Sequence, residues 1–108
     1  MTRKIQNALT IDVEDYFQVA ALAEAVDRDD WSSMEYRVEA NTDRLLALFD
    51  EHRTKATFFT LGWVAERSPA LIRRIRDAGH EIASHGYSHQ LIYTQTPEVF
   101  REETRKSK

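Results

Sequence analysis

An alternation of strand-like and helical segments constrains the fold of this chain more than any other feature. Three short apolar or β-branched segments have the length of strands, and they lie at 5–12, 55–61 and 81–83. Helices are predicted between and after them, over 36–52, over 69–78 and from Thr96 onward. A helix between two strands returns the chain to the same edge of a sheet, so this order predicts an α/β fold with parallel strands and right-handed crossovers.

Capping residues mark the ends of these helices. Ser68, which precedes a proline, is the expected N-cap of the second helix, and Gly79 is its expected stop. Thr96 precedes a proline in the same way at the start of the last helix. The composition of 16–25 allows one more short helix before the charged turn at 27–30.

The length of the chain limits the architecture. It has 108 residues, of which 42% are hydrophobic and 31% are charged, a composition typical of a soluble globular domain. No linker, repeat or low-complexity segment divides it, so we expect one unit over 1–108 without an internal boundary. A complete eight-stranded (β/α) barrel needs roughly 250 residues, so the sequence predicts something smaller.

Charge and cysteine content exclude several classes of function. The formal net charge is −3, and no segment carries the basic excess of a nucleic-acid-binding protein. The chain has no cysteine, so a metal would be held by His, Asp or Glu. No stretch approaches the ~20 apolar residues of a membrane span, and the first residues are too polar for a signal peptide. The expected location is cytoplasmic, with association with the cell envelope left open.

Acidic side chains follow the first predicted strand, where the active groups of parallel sheets collect. Asp12 and Glu14 are two residues apart, so an extended backbone points them to one side and Val13 to the other. Two such carboxylates can have different roles, one as a ligand of a cation and the other as a base that accepts a proton. The alternative interpretation is a solvated acidic loop, or an acid that caps the next helix.

Histidines follow the third predicted strand. His85 and His89 have the spacing of two metal ligands on a helical turn or compact loop, and the alternative is a pair of hydrogen-bonded loop histidines. His80 is more typical of a structural histidine, and His52 of one that interacts with a helix C-terminus. Two histidines and a carboxylate form the ligand set of a catalytic Zn²⁺, although other first-row ions accept it. This set predicts hydrolysis of an amide or ester.

Three motifs occur together in one order, and they are 8–12 (ALTID) with the acids that follow, 56–59 (ATFF) and 79–89 (GHEIASHGYSH). They resemble the NodB-type polysaccharide deacetylases of carbohydrate esterase family 4. The segments 11–19 (IDVEDYFQV), 36–39 (YRVE) and 59–66 (FTLGWVAE) resemble the branch of this family associated with bacterial exopolysaccharide and exosortase loci. The similarity extends over essentially the whole chain, and three motifs in order are far more specific than one.

The resemblance implies a distorted (β/α) barrel that removes N-acetyl groups from a glycan with a divalent metal held by two histidines and a carboxylate. This ligand set favours Zn²⁺. Carried over by position, Asp12 matches the general base, and His85 and His89 match two metal ligands. The commonest family form has a second Asp directly after the first as a metal ligand, and Val13 stands there instead. We therefore expect Glu14 to be the third ligand, with the next acid, Asp15, as the alternative.

The resemblance ends early. Family members continue with further motifs, including a late histidine that acts as general acid, and none of these follows His89. The chain is therefore expected to form the first three strand–helix units of a truncated barrel. Two further functions stay open beside a deacetylase. One is a non-catalytic fragment that binds metal or glycan, with homo-oligomers formed through exposed sheet edges. The other is an allantoinase-like hydrolase of a small cyclic amide.

Overall fold

A parallel sheet of three strands forms the centre of the computed structural model, which describes residues 3–108. The strands, in their order across the sheet, are β1 (Thr10–Val13), β2 (Thr57–Thr60) and β3 (Glu81–Ser84). The helices are α1 (Val38–Glu51), α2 (Gly62–Arg67), α3 (Pro69–Asp77) and α4 (Pro97–Ser107). Short 3-10 helices cover Tyr16–Gln18, Ala20–Leu22, Arg28–Ser33 and Ile92–Thr94. The predicted α/β class with parallel strands is confirmed.

The apolar core lies between the sheet and the first three helices. Its buried members are Val13, Val38, Phe49, Ala56, Phe58, Leu61, Val64, Leu71 and Ile75. Leu71 and Ile75 are one helical turn apart on α3, so both reach the core from the same face. The apolar spacing of these positions is what predicts the helix over 69–78 from the sequence. Within the described residues, no helix is both long and apolar enough to cross a bilayer.

The first strand is shorter than predicted. Residues 5–9 face no partner strand within the described part of the chain, because β2 begins only at Thr57. The ladder starts where the amide of Thr57 donates to the carbonyl of Leu9 at 3.0 Å. The other two strands lie where the sequence predicts them, with ends moved by one or two residues.

Two helical predictions need correction. The segment 16–25 forms two single 3-10 turns rather than one short α-helix. Helix α2 was not expected at all, because Gly62 is more typical of a strand end and the six residues are too few for a periodic pattern. The amides of Gly62 and Trp63 are satisfied by carbonyls from the segment after β3.

Ser68 does not cap α3, contrary to expectation. Its hydroxyl lies 2.6 Å from the Tyr36 hydroxyl and also contacts the Glu39 carboxylate, so it is unavailable to the helix amides. The other two capping predictions are confirmed. Gly79 follows α3 with φ +89°, and the Thr96 hydroxyl accepts from the amide of Val99 at the start of α4.

His80 is a structural histidine, as the sequence suggested. The side chain is buried, and its Nδ1 accepts the amide hydrogen of Ala56 at 3.1 Å. Its ring packs against Phe58, with centroids 4.9 Å apart. Burial lowers the pKa of His80 below its ordinary value, and the positive charge of Lys55 lowers it further. The folded state therefore holds this imidazole neutral.

Stability should consequently depend on pH through His80. The unfolded chain protonates this residue at a higher pH than the folded protein does, so the stabilisation is complete above about pH 6.5 and is lost as the pH falls below it. His80→Gln should remove that part of the pH dependence and lower stability at neutral pH by about 1–3 kcal/mol. Urea unfolding between about pH 5 and pH 8 measures both effects.

His52→Gln is the matched control, because His52 is exposed at the end of α1. A His80→Gln protein whose stability still fell over the same pH interval as the wild type would contradict the assignment.

Candidate metal centre

The register of the sheet brings two polar segments to one edge. Val13 of β1 lies opposite Thr60 of β2, and Thr60 lies opposite Ser84 of β3. The next residues along the outer strands are Glu14 and His85, which leave the sheet at its carboxyl end. These two residues are therefore held at the same height, on either side of β2.

Glu14, His85 and His89 meet at this edge. The Glu14 Oε2 atom lies 3.1 Å from His89 Nε2 and 3.5 Å from His85 Nε2. The three side chains are 16%, 27% and 20% exposed, so they form a recessed cluster that solvent still reaches. Asp12 lies at the rim, with Oδ2 3.8 Å from His85 Nε2 and 55% of its side chain exposed.

The polar atoms of this cluster are poorly satisfied. Among the described residues, Glu14 Oε2, His85 Nε2 and His89 Nδ1 are buried and have no hydrogen-bond partner. Buried polar atoms without partners are rare in proteins and require an explanation. One ligand atom from each of the three residues lies within 4.8 Å of the others, so a cation can bind all three together.

The spacing suits a first-row metal ion. Ligand atoms about 2.1 Å from a tetrahedral Zn²⁺ are roughly 3.4 Å from each other, and the Nε2 atoms of both histidines lie at comparable distances from Glu14 Oε2. The donor set of two imidazoles and one carboxylate leaves a position open for water or substrate. The residues present therefore fit a divalent metal ion with one open coordination position.

Asp15 lies away from this cluster. Its Oδ2 accepts the amide hydrogens of Arg37 and Val38 at 2.7 and 2.8 Å, and its Oδ1 accepts that of Tyr16 at 2.9 Å. It thus caps α1 from 22 residues earlier in the chain and also begins the first 3-10 turn, where Gln18 completes a capping box. Because this buried carboxylate is occupied by backbone donors, the geometry favours Glu14 over Asp15 as the carboxylate of the cluster.

The histidine segment is a tight turn rather than a helix. Gly86 has φ +78° and His89 has φ +57°, both in the left-handed region. The carbonyls of Gly86 and Tyr87 accept the first amides of α2, from Gly62 at 2.7 Å and Trp63 at 3.1 Å. Helix α2, absent from the sequence prediction, therefore helps to shape the turn between the two histidines.

A glycine at position 62 is required by this contact. A Cβ atom there would lie 2.6 Å from Tyr87 Cδ2 and 3.3 Å from the Tyr87 Cα. The first distance is a steric overlap, and the second involves backbone that cannot easily move. The close approach of α2 to the turn thus depends on the absence of a side chain.

A cavity of ≈ 300 Å³ opens beside the two histidines. Residues of both polar and apolar character line it, and they include His85, Tyr87, His89, Leu91, Ile92 and Phe100. The other two histidines of the chain do not line it, since His80 lies at the amino end of the sheet and His52 at the end of α1. The structure therefore brings together Asp12, Glu14, His85 and His89 and separates them from the rest of the expected candidates.

The chain is similar to known proteins over most of its length. A family model described as polysaccharide deacetylase matches residues 26–108. A peptidoglycan-N-acetylglucosamine deacetylase of Bacillus cereus is 34% identical over 79 residues, which are 73% of this chain and 27% of the relative. The chain thus spans about a quarter of the length of this curated relative.

Solved structures show the same likeness. A Mycobacterium smegmatis protein assigned to the polysaccharide deacetylases has a TM-score of 0.72 and 32% identity, covering 93% of this chain and 36% of its own. A Bacillus anthracis protein described as a pseudoenzyme of carbohydrate esterase family 4 has a TM-score of 0.64 and 25% identity, with 93% and 28% covered. The three-stranded unit therefore corresponds to about a third of such folds.

The role of Asp15 can be tested in metal-free protein. Asp15→Ala should lower the free energy of unfolding by about 2–4 kcal/mol, because three backbone amides lose their acceptor. Asp12→Ala is the matched control, and removal of this exposed carboxylate should change stability by less than about 0.5 kcal/mol. Urea denaturation in the presence of a chelator measures both values. An Asp15→Ala protein as stable as the wild type would show that Asp15 is not an anchor.

Proposed function

The chain belongs to the polysaccharide deacetylase family, and from this premise we propose that the protein hydrolyses N-acetyl groups on a glycan. One observation carries the proposal. A carboxylate and two imidazoles converge at the carboxyl end of the sheet with buried polar atoms that lack partners among the described residues. Such a set of donors can bind a cation, and membership of the family indicates that the reaction is a deacetylation.

Glu14, His85 and His89 would hold the metal, and Zn²⁺ is the ion we propose. Its preference for imidazole with a carboxylate matches the three donors. When bound, the metal supplies a Lewis acid that polarises the acetyl carbonyl. Glu14 is well placed to be the carboxylate ligand, since its Oε2 lies near the Nε2 atoms of both histidines.

Asp12 would act as the general base. It lies within β1, two residues before Glu14, and its carboxylate lies 3.8 Å from the Nε2 of His85. Its greater exposure leaves its oxygens free to accept the proton of an attacking water molecule. The water oxygen then bonds to the acetyl carbon, and the C–N bond breaks to give acetate and the amine of the sugar, which takes up the proton that Asp12 accepted from the water.

The substrate we propose is a polymer of N-acetylated sugars. The curated relative from Bacillus cereus is described as a deacetylase of N-acetylglucosamine in peptidoglycan. The ≈ 300 Å³ cavity beside the histidines is at the small end of ligand sites. This size and its mixed polar and aromatic lining suit one sugar ring of a longer chain.

A second function is supported by the likeness to the Bacillus anthracis pseudoenzyme. A protein of this family can retain the fold without the activity, so a metal- or glycan-binding role without turnover is the alternative. The two functions differ in one measurable product, which is acetate.

Acetate release from oligomers of N-acetylglucosamine tests the proposal in the intact protein. The wild type should release acetate with Zn²⁺ and stop when a chelator removes the metal. Asp12→Asn should lower kcat by about 10²–10⁴-fold, the usual contribution of a general base. His85→Ala should abolish metal binding as well as activity.

His52→Ala is the matched control and should retain full activity, because His52 lies outside the cluster. Metal binding by the wild type without any release of acetate would support the non-catalytic alternative. Activity that persisted in both Asp12→Asn and His85→Ala would refute the proposed site.

A further inference from the structure

The backbone of His89 is in an unfavourable conformation. Its φ of +57° lies in the left-handed region, which side chains with a Cβ adopt at a cost. Such a conformation persists only where the surrounding structure enforces it. Because the direction of the His89 imidazole follows from this backbone, the groups that hold the turn also determine whether the imidazole faces Glu14.

The Arg28 side chain is hydrogen-bonded to the backbone of this turn. Its Nε donates to the carbonyl of Ser88 at 3.0 Å, and its Nη2 donates to the carbonyl of His89 at 3.2 Å. One planar guanidinium thus binds two successive carbonyls, which fixes their relative orientation as well as their position. Among the described side chains, Arg28 is the one hydrogen-bonded to the backbone of His89.

A capped 3-10 turn and a tryptophan ring determine the position of the Arg28 guanidinium. Arg28 begins the 3-10 helix Arg28–Ser33, whose first turn is capped by the side chain of Asp27. The guanidinium carbon lies 5.6 Å from the centre of the Trp31 ring, which is 4% exposed. The segment between β1 and α1 therefore holds the Arg28 guanidinium next to a buried tryptophan ring.

The opposite side of the turn is held by α4. The Glu103 carboxylate accepts the amide of Ser88 at 3.2 Å and also the Ser88 hydroxyl. These bonds fix the residue before His89, whereas Arg28 reaches His89 itself. Arg28 and Glu103 therefore both bind the backbone of the turn, from elements that lie far apart in the sequence.

We propose that Arg28 is a positioning residue for the metal centre, which holds the left-handed turn at His89 and so directs its imidazole toward Glu14. The inference rests on the proposed metal site, since it assigns Arg28 a role in shaping that site. Arg28 lies 61 residues before His89, and its guanidinium donates to backbone carbonyls and forms no hydrogen bond or ion pair with Glu14, His85 or Asp12.

Zinc titration of the intact protein by calorimetry tests the effect on the site. Arg28→Ala should weaken Zn²⁺ binding by about 10-fold, the lower end of the usual loss when an outer partner of a metal ligand is removed. Arg28→Lys should recover part of the loss, because an ammonium can still donate to a carbonyl but cannot bind both in a fixed geometry.

Arg67→Ala is the matched control. Arg67 also packs on an aromatic ring of this region, with its guanidinium carbon 4.0 Å from the centre of Trp63. It is not among the donors to the carbonyls of Ser88 or His89. Zinc affinity should therefore stay within about two-fold of the wild type in this variant.

Hydrogen exchange of metal-free protein gives a readout that does not depend on zinc. Amides of residues 88–90 should exchange faster in Arg28→Ala than in the wild type, whereas those of β2 should be unchanged. Unchanged exchange at 88–90 would overturn the positioning role, even if the wild type bound no zinc and the proposed function failed. Equal zinc affinity in Arg28→Ala and wild type, or an equal loss in Arg67→Ala, would also overturn it.

Discussion

The parallel pairing of three strands without offset is the constraint on which the site depends. The row Val13, Thr60 and Ser84 ends the sheet, so Glu14 and His85 emerge together at its carboxyl edge. Their strands are separated by β2, which places the two backbones about 10 Å apart. A glutamate and a histidine are long enough to close that gap from both sides. A shift of one residue in either ladder would turn one of these side chains to the other face of the sheet.

The end of β1 and the two acids that follow it show how adjacent residues acquire different roles. Val13 is 1% exposed and belongs to the core, and Glu14 faces the histidines. The Asp15 carboxylate accepts backbone amides at the start of α1. The cap joins the end of β1 to the start of a helix 22 residues later. It thereby fixes the backbone from which Glu14 projects. The same side chain that completes the fold of this segment also restricts where its neighbour can point.

Local sequence patterns predicted the elements with strong periodicity or capping, such as the apolar face of α3 and the Thr96 cap. They also predicted that the acids around the end of β1 and the histidines after β3 would meet, because parallel strands share a carboxyl edge. They offered an acid that caps the next helix as an alternative without assigning it to Asp15, and they could not predict α2 or the contact of Arg28. Each of these depends on backbone groups brought together from distant segments, and backbone donors and acceptors are the same in every residue. Only the folded arrangement shows which of them are satisfied and by what.

The contrast between Asp15 and Glu14 links the metal to stability. Three amides satisfy the first carboxylate, whereas the second has a buried oxygen without a partner among the described residues. Burying that oxygen beside two imidazoles lowers the free energy of unfolding when no cation is present. A cation that binds them joins the ends of β1 and β3, which lie near each other only in the folded chain. It therefore stabilises the fold in proportion to its affinity, by about 2.7 kcal/mol at a concentration 100 times its Kd. Residues that orient the ligands, such as Arg28, strengthen that linkage because they favour in advance the one arrangement that the metal binds.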